Sequence, residues 1–114
     1  MRKVKGHTLC VIQTRTSGKN LIGEAVNTWS DAYSIYGVLG LQSGDSKYAT
    51  FNAKIEESTH VFVTDFNEDV FDLADQNTRC VIGGKTYDVT LIDNPDLLNI
   101  HLEIYLRYVG GQNG

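Results

Sequence analysis

The chain is poor in the residues that most site chemistry requires. It has one proline, one tryptophan, two cysteines and three histidines in 114 residues. No CxxC pair or Cys/His cluster occurs, which excludes the common zinc arrangements. His7, His60 and His101 lie far apart in sequence, with no metal-ligand spacing. There is no GxSxG nucleophile elbow and no glycine-rich phosphate loop. Asp93, Asn94 and Asp96 resemble the opening of a calcium loop, but Pro95 interrupts it and no glutamate closes it. No enzyme, cofactor or metal function is expected. No apolar run approaches the ~20 residues of a membrane-spanning helix. The basic opening, Met1-Arg2-Lys3-Val4-Lys5-Gly6-His7, precedes an apolar stretch at 9–12 that is shorter than a signal-peptide core of ~7–15 residues. The chain is therefore expected in the cytoplasm or released by lysis. There Cys10 and Cys80 would be small buried thiols rather than a disulfide.

Charge is also unevenly supplied. Net charge is −4. The first 20 residues hold Arg2, Lys3, Lys5, Arg15 and Lys19 and no acid. Glu56, Glu57, Asp65, Glu68, Asp69, Asp72 and Asp75 follow one another with no Lys or Arg between them. Such poles suit head-to-tail contact between identical subunits, and equally describe two solvated faces. An acidic chain is a poor non-specific DNA binder.

What the sequence does have is alternation. Ile100, Leu102, Ile104, Leu106 and Tyr108 alternate with His101, Glu103, Tyr105 and Arg107, the period of a strand with one apolar face. The pattern buries Leu102, Ile104 and Leu106 together. If a ring surface covers one end, not all three are core, and central Ile104 is the most buried. Upstream, Cys80, Val81 and Ile82 meet Gly83-Gly84, then Tyr87, Val89 and Leu91 alternate with Asp88 and Thr90. Paired glycines between such runs predict a two-residue turn with positive φ at both positions. Asp93-Asn94-Pro95-Asp96 predicts a second turn. Residues 78–109 therefore read as an antiparallel meander.

Before the meander, residues 7–15 read as a first strand, 32–42 as a second and 58–66 as a third. Residues 16–28 read as a long mobile connection. Gly37 and Gly40 inside the second strand predict bending or close backbone approach. Trp29 is expected to lid the core. Residues 43–57 permit a short helix, since Tyr48, Phe51 and Ile55 have helical spacing, and equally an extended loop. Asn67 is placed to cap a helical turn running to Gln76. The sum is an all-β domain spanning 1–114: a small antiparallel barrel of about six strands with long loops and at most one or two short helical turns. Residues 1–7 and 110–114 read as flexible ends.

Taken together, Gly23-Glu24, Trp29, the strand ending in Ser43-Gly44, Val61-Phe62-Val63, the hairpin with Arg79, Ile82, Gly84-Lys85, Tyr87 and Val89, then Ile92-Asp93-Asn94 and Arg107-Tyr108, resemble the head-tail joining proteins of tailed phages, also called head-closure or stopper proteins. The likeness spans residues 8–109. It departs at Asp45-Ser46, where such proteins often carry Gly-x-Glu, and at Asp65-Phe66-Asn67, where many carry an arginine. It implies a β-barrel subunit of a ring beneath the portal and its adaptor. The ring would close the DNA channel and dock the tail, first in the host cytoplasm and then in the virion. It implies a channel-facing loop at 43–57, with Ser43, Gly44 and Asp45 at its start and Lys47 and Lys54 able to meet DNA phosphates. The 16–28 connection would touch neighbouring rings. The alternative is an OB-like module binding nucleic acid or protein, which would set basic residues beside aromatics on one strand face. Tyr33, Tyr36 and Tyr105 have no such array beyond Arg107.

Overall fold

A computed structural model describes residues 6–41, 58–73 and 77–111. The elements are β1 (Thr8–Lys19), β2 (Ala25–Leu41), β3 (His60–Asp65), α1 (Glu68–Phe71), β4 (Thr78–Ile82), β5 (Lys85–Asp93), a 3-10 turn (Pro95–Leu97) and β6 (His101–Gly111). The strands close into a barrel in the order β1-β2-β3-β6-β5-β4, every neighbour antiparallel. Closure leaves no free sheet edge on the wall.

The core is built by period two. Cys10 and Ile12 of β1, Ile35 of β2, Phe62 of β3, Cys80 and Ile82 of β4, Tyr87 and Val89 of β5 and Leu102, Ile104 and Leu106 of β6 point inward. The last three are all fully buried. The expectation that one of them would lie outside the core is therefore corrected. Their shared face lines the closed lumen along its whole length, and only the outlying Ile100 and Tyr108 are exposed. Gly37 answers to close approach. A Cβ there would overlap the Val63 carbonyl and come within 2.9 Å of the Phe62 ring. Cys10 and Cys80 are both buried and free. Its hydrogen bond with Cys10, then burial, hold the Cys80 thiol well above its ordinary pKa.

Gly83 and Gly84, at φ 58° and 78°, connect Ile82 to its partner Lys85. Asn67 caps α1 by accepting from the backbone N–H groups of Asp69 and Val70. The helix stops at Phe71 rather than approaching Gln76. Its last turn carries no basic residue, and Asp72 stands at the C-cap, where a carboxylate opposes the helix dipole. Residues 74–76 are outside the described residues.

The largest correction concerns residues 16–28. They are not a long loop. β1 and β2 stay paired from Thr14↔Ser30 out to Lys19↔Ala25, and only residues 20–24 turn. Polar residues without apolar alternation hide this arm, because no core marks its faces.

Candidate functional site

Strand direction sorts the connections between two ends of the barrel. β1, β3 and β5 run toward one end; β2, β4 and β6 return from it. That end carries the β1–β2 arm, α1 between β3 and β4, and the 3-10 turn between β5 and β6. The other end carries the start of β1, the β2–β3 connection, the Gly83-Gly84 turn and the end of β6.

At the second end, the β2–β3 connection leaves and returns beside itself, since Leu41 pairs with His60. The candidate channel residues Ser43, Gly44, Asp45, Lys47 and Lys54 lie outside the described residues. Their returning anchor is described. The Thr59 N–H donates to the Leu106 carbonyl at 2.8 Å. Its hydroxyl accepts from the Tyr108 N–H at 2.8 Å and meets His60 Nδ1 at 2.8 Å. Ser58, nearly buried, bonds Thr90 at 2.6 Å. Tyr87 packs edge-on between His60 and Tyr108, with centroids at 5.1 and 5.5 Å. Burial first, then the neighbouring Tyr108, raises the Tyr87 phenol pKa. The chain is thus clamped where it rejoins the barrel.

At the first end, α1 crosses beneath the lumen from β3 to β4. Val70 is fully buried there, and Phe66, Phe71 and Leu73 pack against the core. The arm leaves beside it. A bulge between Ile12 and Gln13 sets it off from the wall. A collar holds its base: Arg79 donates to Gln13 at 2.7 Å, Gln13 donates to Asp31 at 2.8 Å, and Arg15 donates to Asn77 at 3.2 Å. Trp29 belongs to this collar and does not lid the core. The guanidinium carbon of Arg79 sits 4.3 Å from its ring centroid and that of Arg15 5.9 Å. An aromatic and basic groups do share a face here, but Arg79 occupies the ring itself. At the tip, Asn20 Oδ1 accepts from the N–H groups of Ile22 and Glu24, and Gly23 turns at φ 86°. Leu21 is left fully in water and Ile22 largely so.

A polar cluster lies on the wall near the 3-10 turn. Tyr105 donates to Glu103 at 2.8 Å, and His101 meets the other oxygen of Glu103 at 3.2 Å. Burial first, then Glu103 and Asp93, push the Tyr105 phenol far above its ordinary pKa. These groups are spent on one another. No metal-binding group of His, Cys, Asp or Glu occurs among the described residues.

The features that matter are therefore extensions and ends, as in a part made to be assembled. The phage head completion protein family matches residues 1–107. The chain belongs to this family. It is a structural protein of the phage virion, from a family that is not enzymatic and that works against other head and tail proteins. The fold is also that of protein SF1141 from Shigella flexneri 2a, whose solution structure superposes with a TM-score of 0.70 at 18% identity, covering 95% of this chain and 96% of that one. No curated protein matches the chain. Among the described residues, no helix is long and apolar enough to cross a membrane.

Proposed function

We propose that this head completion protein is a ring-forming connector subunit, one that closes the DNA channel below the portal and adaptor and offers a face to the tail. Family membership over residues 1–107 supports the virion role. The observation that carries the finer reading is the division of the connections between two opposite ends of an edgeless barrel. A closed wall cannot recruit neighbours by adding strands, so contacts fall to the extensions. The β2–β3 connection, with Ser43, Gly44, Asp45, Lys47 and Lys54, is the channel element. Identical copies of it meet around the ring axis, and Lys47 and Lys54 meet DNA phosphates. The arm at the other end meets neighbours. Assembly takes place in the host cytoplasm.

The test is deletion of residues 43–57 with a short glycine linker across the Leu41–His60 ladder. The variant should fold with its barrel intact, and phage assembled with it should package DNA and then leak it. Unfolding of the variant, or infectious particles that retain DNA, would refute the channel assignment.

A further inference from the structure

The arm and the 3-10 turn occupy one end of the barrel on opposite sides. In the closed order β1-β2-β3-β6-β5-β4, the β1–β2 junction lies half-way round from the β6–β5 junction. Both present apolar side chains to water. Leu21 and Ile22 cap the arm, and Leu97, 75% exposed, with Leu98, 61% exposed, caps the turn. A soluble chain gains nothing by displaying either alone.

The turn is held out deliberately. Asp96, Leu97 and Asn99 have φ of 54°, 54° and 58°, a region that costs non-glycine residues energy. Buried Asn94 maintains it, donating to Asn99 Oδ1 at 2.8 Å and accepting from the Asn99 N–H at 3.1 Å. Ile100 extends the apolar surface and ties it to the connection between β3 and α1 by accepting from the Phe66 N–H. The rim is acidic: Asp96 lies on the turn and Asp93 at the end of β5 just before it. The arm carries Arg15 and Lys19, while its acid, Glu24, bonds the Asn20 amide at 3.2 Å. Charge and apolarity thus match between arm and turn.

Reach also matches. β1 keeps β4 beside it only to Thr14. From there to Leu21 is seven residues, or ~23 Å of extended chain. Barrel strands tilt from the axis, so an arm continuing them leaves sideways.

We propose that Leu21 and Ile22 of each subunit dock on the Leu97–Leu98–Ile100 surface of the next copy of this chain. The contact is heterologous: every copy gives one arm and receives one. Repetition around an axis closes a ring without using the opposite end. This rests on the ring reading above and adds the residues that make the ring.

The experiment uses the purified full chain at millimolar concentration, followed by sedimentation and amide chemical shifts. Wild type should self-associate, with shifts at both 21–22 and 97–100. Ile22→Ser and Leu97→Ser should each keep the wild-type melting temperature, because both side chains are exposed, and each weaken association at least tenfold. Mixing the two variants should restore association but stop at heterodimers, since only one arm and one receiving surface remain intact. Tip-to-tip pairing would instead show association lost in Ile22→Ser and unchanged in Leu97→Ser, and would overturn the proposal. So would a wild-type chain that stays monomeric under these conditions. Normal rings in particles assembled from Leu21→Ser/Ile22→Ser chains would overturn the arm contact and leave the ring reading standing.

Discussion

β1 and β2 each run through two environments, and the two halves of these strands are held by different forces. In the barrel half, Cys10, Ile12 and Ile35 are buried, and β4 and β3 pair along the outer edges. In the arm half, every described residue from Arg15 to Thr28 is exposed, and each strand has only the other. The β1–β2 ladder runs through both halves, so that ladder alone does not explain the difference in anchorage. Burial does: a lone two-stranded hairpin is marginal in water, while strands closing a core are not. An arm without a core must be fixed at its base and tip. The Arg79–Gln13–Asp31 chain, Trp29 and the Asn20 turn are placed where that demand falls.

The sharpest way to separate the halves is to damage one. Phe62 is fully buried and packs beside Gly37. Phe62→Ala should cost ~3–5 kcal/mol and lower the melting temperature accordingly. Amide exchange in the arm should barely change, because arm amides already exchange by local opening. Exchange rising equally in arm and barrel would show them to be one cooperative unit. Next in size is Gly84→Val. At φ 78° a β-branched residue is strained, so a loss of ~1–2 kcal/mol is expected. It should be felt in β4 and β5 and not in the arm. An unchanged melting temperature would count against that turn geometry.

The converse is a lesion confined to the arm. Trp29→Ala removes the ring beneath Arg79, a contact worth ~0.5–1 kcal/mol at a partly exposed site. Arm exchange at 15–19 and 25–28 should accelerate several-fold while the melting temperature stays near wild type. A large global loss would mean that Trp29 supports the core after all.

The contrast also explains what could be read from the sequence. The meander was legible because its side chains face two media: Leu102, Ile104 and Leu106 inward, Glu103 and Arg107 outward. Strand count, barrel class and the Asn67 cap follow the same logic. The arm was not legible, because both its faces meet water. Thr16, Ser17, Gly18, Lys19 and Asn20 therefore look like any polar loop. A weak signal existed in threonines at Thr14, Thr16 and Thr28 on either side of an Asn20…Gly23 turn. Trp29 is hard to place from sequence for a related reason. Its partners Arg15 and Arg79 are distant in sequence, and only the β1–β2 and β1–β4 registers bring them to it. The strained turn at 96–99 was hidden as well, since Leu97 gives no warning of a left-handed backbone. The candidate channel residues, Ser43 to Lys54, fall outside the described residues and stand on family resemblance and position.

The smallest predicted effect concerns charge at the receiving end of the barrel. Asp93 is held above its ordinary pKa, first by burial, then by its cross-strand partner Glu103 and by Asp96; His101 and the Asn94 N–H oppose the shift. The unfolded chain ionises this group near ~3.9. Just above that pH the folded protein still binds its proton, so the folded state carries more protons than the unfolded one. Stability then falls as pH rises through the interval up to the folded value, and above it the loss is complete. At neutral pH the fold therefore tolerates a charge it would shed. Asp93→Asn should raise the melting temperature slightly at pH 7, and the advantage should vanish below pH ~3.9, where wild type is neutral too. The same change should weaken self-association, because it removes one acid from the surface that receives Lys19 near the arm tip. A gain that persists in acid would trace to the new amide's hydrogen bonds and would remove electrostatics as the cause. A gain in stability without any loss of association would detach the acidic rim from the arm.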